Sequence, residues 1–297
     1  MFKGVLASVF ASVLFGAIYF ISAHLEPLNG EQIFGWRVLL NLPLTTLLLL
    51  WRKEVGRALV FLRRAVAQPR WALLLLFSSA MLGTQMWLFM WAPMHGKALP
   101  VSLGYFLLPL IMVVVGRLFF QERLTRLQTA ATLLAAVGVA HEFWQAGSMD
   151  WETWFVALGY AVYFSVRRQW RTDSLAGHWL DMALMLPAAI YFVLAAPPSW
   201  PLVKATPSLW WLLPLLGLVS AVALALYMLA SRKLPIGLFG LLAYVEPVLL
   251  VIVAWMLGES LEPSQRISYG MIFAAVALLV LDGGWRFGRE RRRKLRQ

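Results

Sequence analysis

Pro100 to Glu122 reads PVSLGYFLLPLIMVVVGRLFFQE. It is an apolar run with Pro109 near its middle, closed by the polar clip Gln121-Glu122-Arg123. A bilayer core of roughly 30 Å needs about 20 such residues as a helix. A related stretch returns at Gly237 to Glu259, GLFGLLAYVEPVLLVIVAWMLGE. Tyr105 is matched by Tyr244, Pro109 by Pro247 and Glu122 by Glu259, at offsets of 139, 138 and 137 residues in a chain of 297. An internal repeat of about half the chain sets the architecture to be expected. A mid-helix proline removes a backbone donor and bends the helix. In lipid the freed carbonyl must find protein or cavity water. Matched kinks in two halves point to a central binding site, whereas the plainer alternative is two packing kinks.

Composition says the same outside these stretches. Hydrophobic residues make up 61% and charged residues 13%, with mean hydropathy +0.73. Soluble domains carry roughly twice that charge, so the chain reads as an all-α integral membrane protein. The net charge of +12 does not imply nucleic acid, because the bases sit in short loops between apolar runs. Cysteine is absent, which excludes disulfides and thiolate metal sites within the chain.

Ten spans are expected, at about 1–23, 32–50, 71–92, 98–119, 127–143, 153–167, 178–196, 209–230, 236–257 and 267–282. With the N-terminus inside, 22 of the 26 Lys and Arg fall on cytoplasmic segments, the asymmetry that membrane insertion imposes. Six of them crowd 52–70 and seven the tail after Trp285. Arg167 and Arg168 are read as the basic end of span 6, counted on the cytoplasmic side. Five spans per half is odd, so the halves must be inverted relative to each other. The expected divisions are 1–146, 147–282 and a basic tail, 283–297. Many of the 15 Trp fall near span ends, where amphipathic rings anchor.

Ionisable residues inside spans are costly and point to function. Glu246, directly before Pro247, could bind a cation or carry a coupling proton. Arg37 could hold an anionic group through its planar fork; the alternative is a structural pair between the two. Tyr105, Tyr244 and Tyr19 could hydrogen-bond substrate, with Pro109 and Pro247 supplying the moving parts. The expected cavity is built from spans 1, 2, 4 and 9. Asp181, in the first turn of span 7, suits the helix dipole. Glu122 and Glu259, at span ends, are read as capping or pairing locally, with gating as the lesser alternative. The four His are scattered, so no metal site or cofactor is expected.

At these residues the chain resembles the drug/metabolite transporter superfamily, in its RarD-like (EamA-type) branch. Trp87 to Val139, with WAPMHGKALPVSLGYFLLPL, QERLTRLQ and AAVGVA, carries the resemblance most specifically. Phe15-Gly16, Tyr19, Glu31 with Arg37, Tyr163 with Arg167-Arg168, Asp181 with Pro187, and Gly240 to Pro247 with Glu259 extend it along the chain. Trp36, Met86, Ala223 and Ala243 depart from the branch's pattern. The resemblance implies a permease of the bacterial inner (plasma) membrane, both termini cytoplasmic. It would export a small metabolite or drug by alternating access, with H+ as candidate coupling ion. Its other partner is membrane lipid. The rival expectation is a membrane-embedded enzyme acting on a lipid or lipid-linked substrate, which needs a nucleophile–base pair that the sequence does not offer.

Overall fold

A computed structural model describes residues 2–146, 150–194, 198–256 and 266–294. Glu259, matched above with Glu122, lies outside them. Among the described residues the chain is helical throughout: α1 Phe2–Ser22, α2 Gly30–Trp51, α3 Val55–Ala67, α4 Pro69–Trp91, α5 Ala98–Phe119, α6 Arg126–Ala146 and α7 Trp151–Gln169, then α8 Leu175–Leu194, α9 Trp200–Ala205, α10 Leu209–Lys233, α11 Ile236–Leu242, α12 Val245–Met256 and α13 Arg266–Lys294. Six of them, α1, α2, α4, α5, α8 and α10, are long and apolar enough to cross a membrane. Helices also cover the other four expected spans.

Local signals set the boundaries. Asn29 accepts the Gln32 amide at 2.9 Å while the Gln32 side chain accepts the Asn29 amide at 3.0 Å, the reciprocal cap that starts α2. Pro69 opens α4, where its missing N–H costs nothing. Gly96, in the left-handed region at φ 68°, closes the 3-10 turn Ala92–His95 before α5.

Span 9 is broken where its proline requires it. Pro247 offers no N–H to the carbonyl four residues back, and its ring crowds that carbonyl. That residue is Ala243, and α11 ends at Leu242 before α12 begins at Val245. The Glu246 amide donates to Ala243 O at 3.0 Å instead. Pro109, at the matched position, leaves α5 continuous.

One expectation is corrected. The basic stretch 52–70 is not only a loop: it forms α3. Ala58 and Phe61, three apart, are buried, and the Phe61 ring stacks on Trp71 at 6.3 Å. Arg57, Arg63 and Arg64 stay exposed. The six bases masked an amphipathic helix.

Packing runs largely between the two halves of the chain. α1 lies on α10, α2 on α8 and α10, α5 on α7 and α11, α1 on α12, α6 on α13, and α4 on α7 and α8. Small residues permit the closest of these approaches. A Cβ on Gly104 of α5 would stand 2.6 Å from Val156 Cβ of α7. One on Gly240 of α11 would stand 2.5 Å from Met112 Cβ of α5. The main apolar core joins residues of α1, α2, α4, α5, α7, α8, α10 and α11, and the candidate site lies inside it.

A central cavity between the two halves

A cavity of about 50 Å³ lies among the helices of the main core. Phe15 of α1, Arg37 of α2, and Tyr105 and Leu108 of α5 line it, with Glu246 and Pro247 of α12. These are the four expected spans. The structure adds three more: Leu82, Met86 and Phe89 of α4, Tyr160 and Phe164 of α7, and Leu224, Tyr227 and Met228 of α10.

Arg37 is buried, at 4% exposure. Its Nε donates to Ser220 Oγ of α10 at 2.7 Å, which fixes the plane of the guanidinium. Its two terminal nitrogens have no hydrogen-bond partner among the described residues. Glu246 is half-buried and its carboxylate accepts no hydrogen bond among the described residues. The two charges act on each other across the cavity, yet no ion pair within 4.0 Å joins them. An Arg and an acid that share a cavity without closing on each other leave both recognition edges open.

The walls between them are aromatic. Tyr105 stands between Phe89 and Tyr160, at ring centroid distances of 5.8 and 6.1 Å. Tyr160 stacks on Phe164. Toward the basic end of the bundle, Phe164, Tyr227 and Phe239 pack at 4.6 to 5.4 Å, with Phe15 edge-on to Tyr227 at 5.4 Å. Below that plug lies a polar tie. Glu122 accepts the backbone amides of Ile236 and Gly237 at 2.6 and 2.8 Å and pairs with Arg168 at 3.3 Å. Arg168 also donates to the carbonyls of Ser231 and Leu234. The end of α7 and the links after α5 and α10 are thereby bound to the start of α11. At the opposite end Lys97 pairs with Asp150 at 2.8 Å and Glu152 at 3.7 Å. The Asp150 hydrogen bond holds the Lys97 ammonium above its usual range.

The remaining expected site residues lie elsewhere. Tyr244 is fully buried beside α5, where its hydroxyl donates to Phe106 O at 2.9 Å. Ala243, not Tyr244, faces the cavity. Tyr19 is one ring removed, edge-on to Phe89 at 6.3 Å. Pro109 is absent from the lining, although Leu108 before it is present.

Arg167 also needs correction. It is not a cytoplasmic end-of-span base but fully buried, and its Nη1 donates to Asp181 Oδ2 at 2.5 Å. Tyr163 donates to the same oxygen at 2.8 Å, and Arg167 Nη2 reaches Thr172 O. Asp181 therefore has a structural partner rather than a bare helix dipole. The Tyr163-x3-Arg167 spacing, one helical turn, is the signal that could have pointed to a shared acceptor. Among the described residues no three His, Asp or Glu side chains gather as a metal site.

Residues 2–141 match the sequence model of the EamA-like transporter family. The chain is 41% identical over 283 residues to an uncharacterized transporter of Pasteurella multocida, covering 95% of this chain and 97% of that one. It is 42% identical over 296 residues to the chloramphenicol-sensitive protein RarD of Pseudomonas aeruginosa, covering 99% and 98%. A protein known from a crystal structure shares the fold, with a TM-score of 0.67 at 19% identity over 94% of this chain and 96% of its own. On this similarity the chain belongs to the EamA-like transporter family, whose relatives named RarD it matches over nearly its full length.

Proposed function

We propose that the chain is a secondary transporter that moves a small metabolite or drug by alternating access. The observation that carries this reading is the pair Arg37 and Glu246, facing one cavity at the seam of two halves and not joined to each other across it. A substrate with an anionic group for Arg37, a cationic group for Glu246 and a flat or apolar part for the tyrosines would satisfy all three. Tyr105, Tyr160 and Tyr227 are the hydrogen-bonding wall. Pro247 lets α12 move against α11.

The reading includes ten spans in two inverted five-helix halves, 1–146 and 147–282, with both termini and the basic end cytoplasmic. The packing supports it. Exchanging the halves turns the contact of α1 with α10 into that of α7 with α4. It turns α5 with α7 into α12 with α1, and α2 with α10 into α8 with α4. The pairs α2–α8, α5–α11 and α6–α13 map onto themselves. In this conformation the aromatic plug and the Glu122–Arg168 tie close the cytoplasmic side. The cavity's 50 Å³ holds a few waters, against roughly 300–1,000 Å³ for a drug-sized ligand. Transport therefore requires the walls to part.

Glu246 is the proposed carrier of a coupling proton, since an unpaired carboxylate in the spans can trade a proton for a cationic substrate. Inverted vesicles energised with a pH gradient test it. Amino acids, metabolites and drugs are added, chloramphenicol among them because of the name one relative carries. Compound-specific collapse of the gradient by wild type, lost in Glu246→Gln, is the expected result. Equal collapse in both would remove Glu246 from coupling.

A further inference from the structure

A second crevice, of about 250 Å³, opens at the basic end between α2, α8 and α10. Leu48 and Trp51 of α2 form one wall and Val222 and Leu226 of α10 the other. Trp51 and Val222 are exposed, at 74% and 43%, on helices long and apolar enough to span a membrane. The crevice therefore opens sideways, toward lipid. Arg52 and Arg232 stand at its rim, both exposed, and neither has an ion-pair partner among the described residues. The Arg52 guanidinium lies over the Trp51 ring at 5.7 Å. Glu54 also borders the crevice, but Arg57 engages its carboxylate at 3.4 Å. Asp173 is within electrostatic reach of Arg232 without pairing to it.

We propose that this crevice binds one anionic phospholipid, its phosphate held by Arg52 and Arg232 and an acyl chain laid between Val222, Leu226, Leu48 and Trp51. The charges fit a phosphate, and the apolar walls fit an acyl chain rather than a soluble anion. Basic pockets between spans on the cytoplasmic side take anionic headgroups in this way. Ser174 and the start of α8 line the same rim and add the positive end of a helix dipole. The position has a mechanical meaning. One helix turn and more above it, a Cβ on Gly217 of α10 would stand 2.5 Å from Leu40 Cβ of α2, so the seam is shut there. Between that crossing and the crevice, Ser220 of α10, two residues from Val222, accepts the hydrogen bond of Arg37 of α2. A lipid wedged below this crossing sets the angle at which α2 presents Arg37. The site goes beyond the transport reading and uses it only to name the leaflet.

Native mass spectrometry of the full-length, detergent-purified protein tests the proposal. The probes are phosphatidylglycerol, phosphatidylcholine and inorganic phosphate. Wild type is expected to retain one phosphatidylglycerol in preference to phosphatidylcholine. Arg52→Gln with Arg232→Gln should weaken it about 30-fold, two charges' worth near a surface. Arg63→Gln with Arg70→Gln, which removes two exposed bases elsewhere at this end, should leave it unchanged. Val222→Trp, which fills the slot and keeps both arginines, should abolish the single bound lipid. It decides the matter alone if the arginine double variant does not fold. Retention within threefold in the double variant or in Val222→Trp overturns the proposal. So does equal binding of phosphatidylcholine, or displacement by equimolar inorganic phosphate, which would mark a soluble-anion site.

Discussion

The stretch in α5 and the stretch in α11–α12 start from one pattern and end as different objects. Aligned on their prolines, 138 residues apart, Leu108 matches Glu246, Tyr105 matches Ala243 and Phe106 matches Tyr244. Leu108 and Glu246 both line the cavity, as do Tyr105 and Ala243. The geometry is shared and the chemistry is divided: one stretch brings a phenol and an apolar side chain, the other a methyl and a charge. The third pair closes the two on each other, Tyr244 donating to the carbonyl of Phe106, one turn before Pro109. The backbone differs too, continuous in α5 and broken in span 9. The difference teaches that a repeat can preserve which positions face the centre while the two copies bring unlike chemistry to it.

Substitutions that copy one stretch into the other test this directly. The largest effect is expected from Glu246→Leu, which gives the second stretch the residue of the first. A lost contact to a charged group is worth about 1.5–3 kcal/mol, so solute-driven gradient collapse should fall about tenfold to 100-fold. Folded yield should hold, because the carboxylate has no protein partner to lose. Pro247→Ala comes next. It restores an amide toward Ala243 O, removing a break of about 3 kcal/mol. Hydrogen exchange across 243–247 should slow and transport fall about tenfold, while Pro109→Ala should change exchange in α5 far less.

The tie that docks α11 gives a smaller effect. The chain has no Cys, so a cysteine at Ala243 reports access to the cavity alone. Adding Glu122→Gln removes one charge-assisted contact of about 1.5–3 kcal/mol. Labelling of that cysteine from the basic end should speed up at least severalfold. Unchanged labelling would mean the aromatic plug alone seals that end. The smallest effects separate the tyrosines. Tyr244→Phe should lower stability by about 1 kcal/mol, read as a modest drop in Tm with transport kept. Tyr105→Phe should do the reverse, raising the apparent KM a few-fold with Tm unchanged. If Tyr244→Phe altered KM and Tyr105→Phe did not, the division of labour drawn above would be reversed.

The sequence made the charged centre legible and the aromatic one illegible, for a physical reason. Ionisable side chains are so costly in lipid that Arg37 and Glu246 stand out in apolar runs without any structure. Tyr160 and Tyr227 do not, among 8 Tyr, 18 Phe and 15 Trp, because a mid-span ring packs as readily against lipid as against a cavity. Arg167 was hidden by its place at a span end beside Arg168 and Arg171, where a base is ordinary. Only the fold of α8 against α7 shows that Asp181 meets it. The pairing of Tyr105 with Tyr244 failed by one residue: in both stretches the inward place lies four residues before the proline, which is Tyr105 in one and Ala243 in the other. The apolar core of α3 was obscured by charge density, since Ala58 and Phe61 are two buried residues among six bases.

The smallness of the central cavity carries one more consequence. Moving an elementary charge across a polarised membrane releases about 2.3 kcal/mol per 100 mV, so any standing aqueous thread through the chain would drain the cell's voltage. The 50 Å³ at its centre holds only a few waters, and four aromatic rings pack toward the basic end. On the transport reading proposed above, the Arg and the Glu can be held ready inside the bundle because the aromatic plug separates them from the basic end until a solute parts the walls.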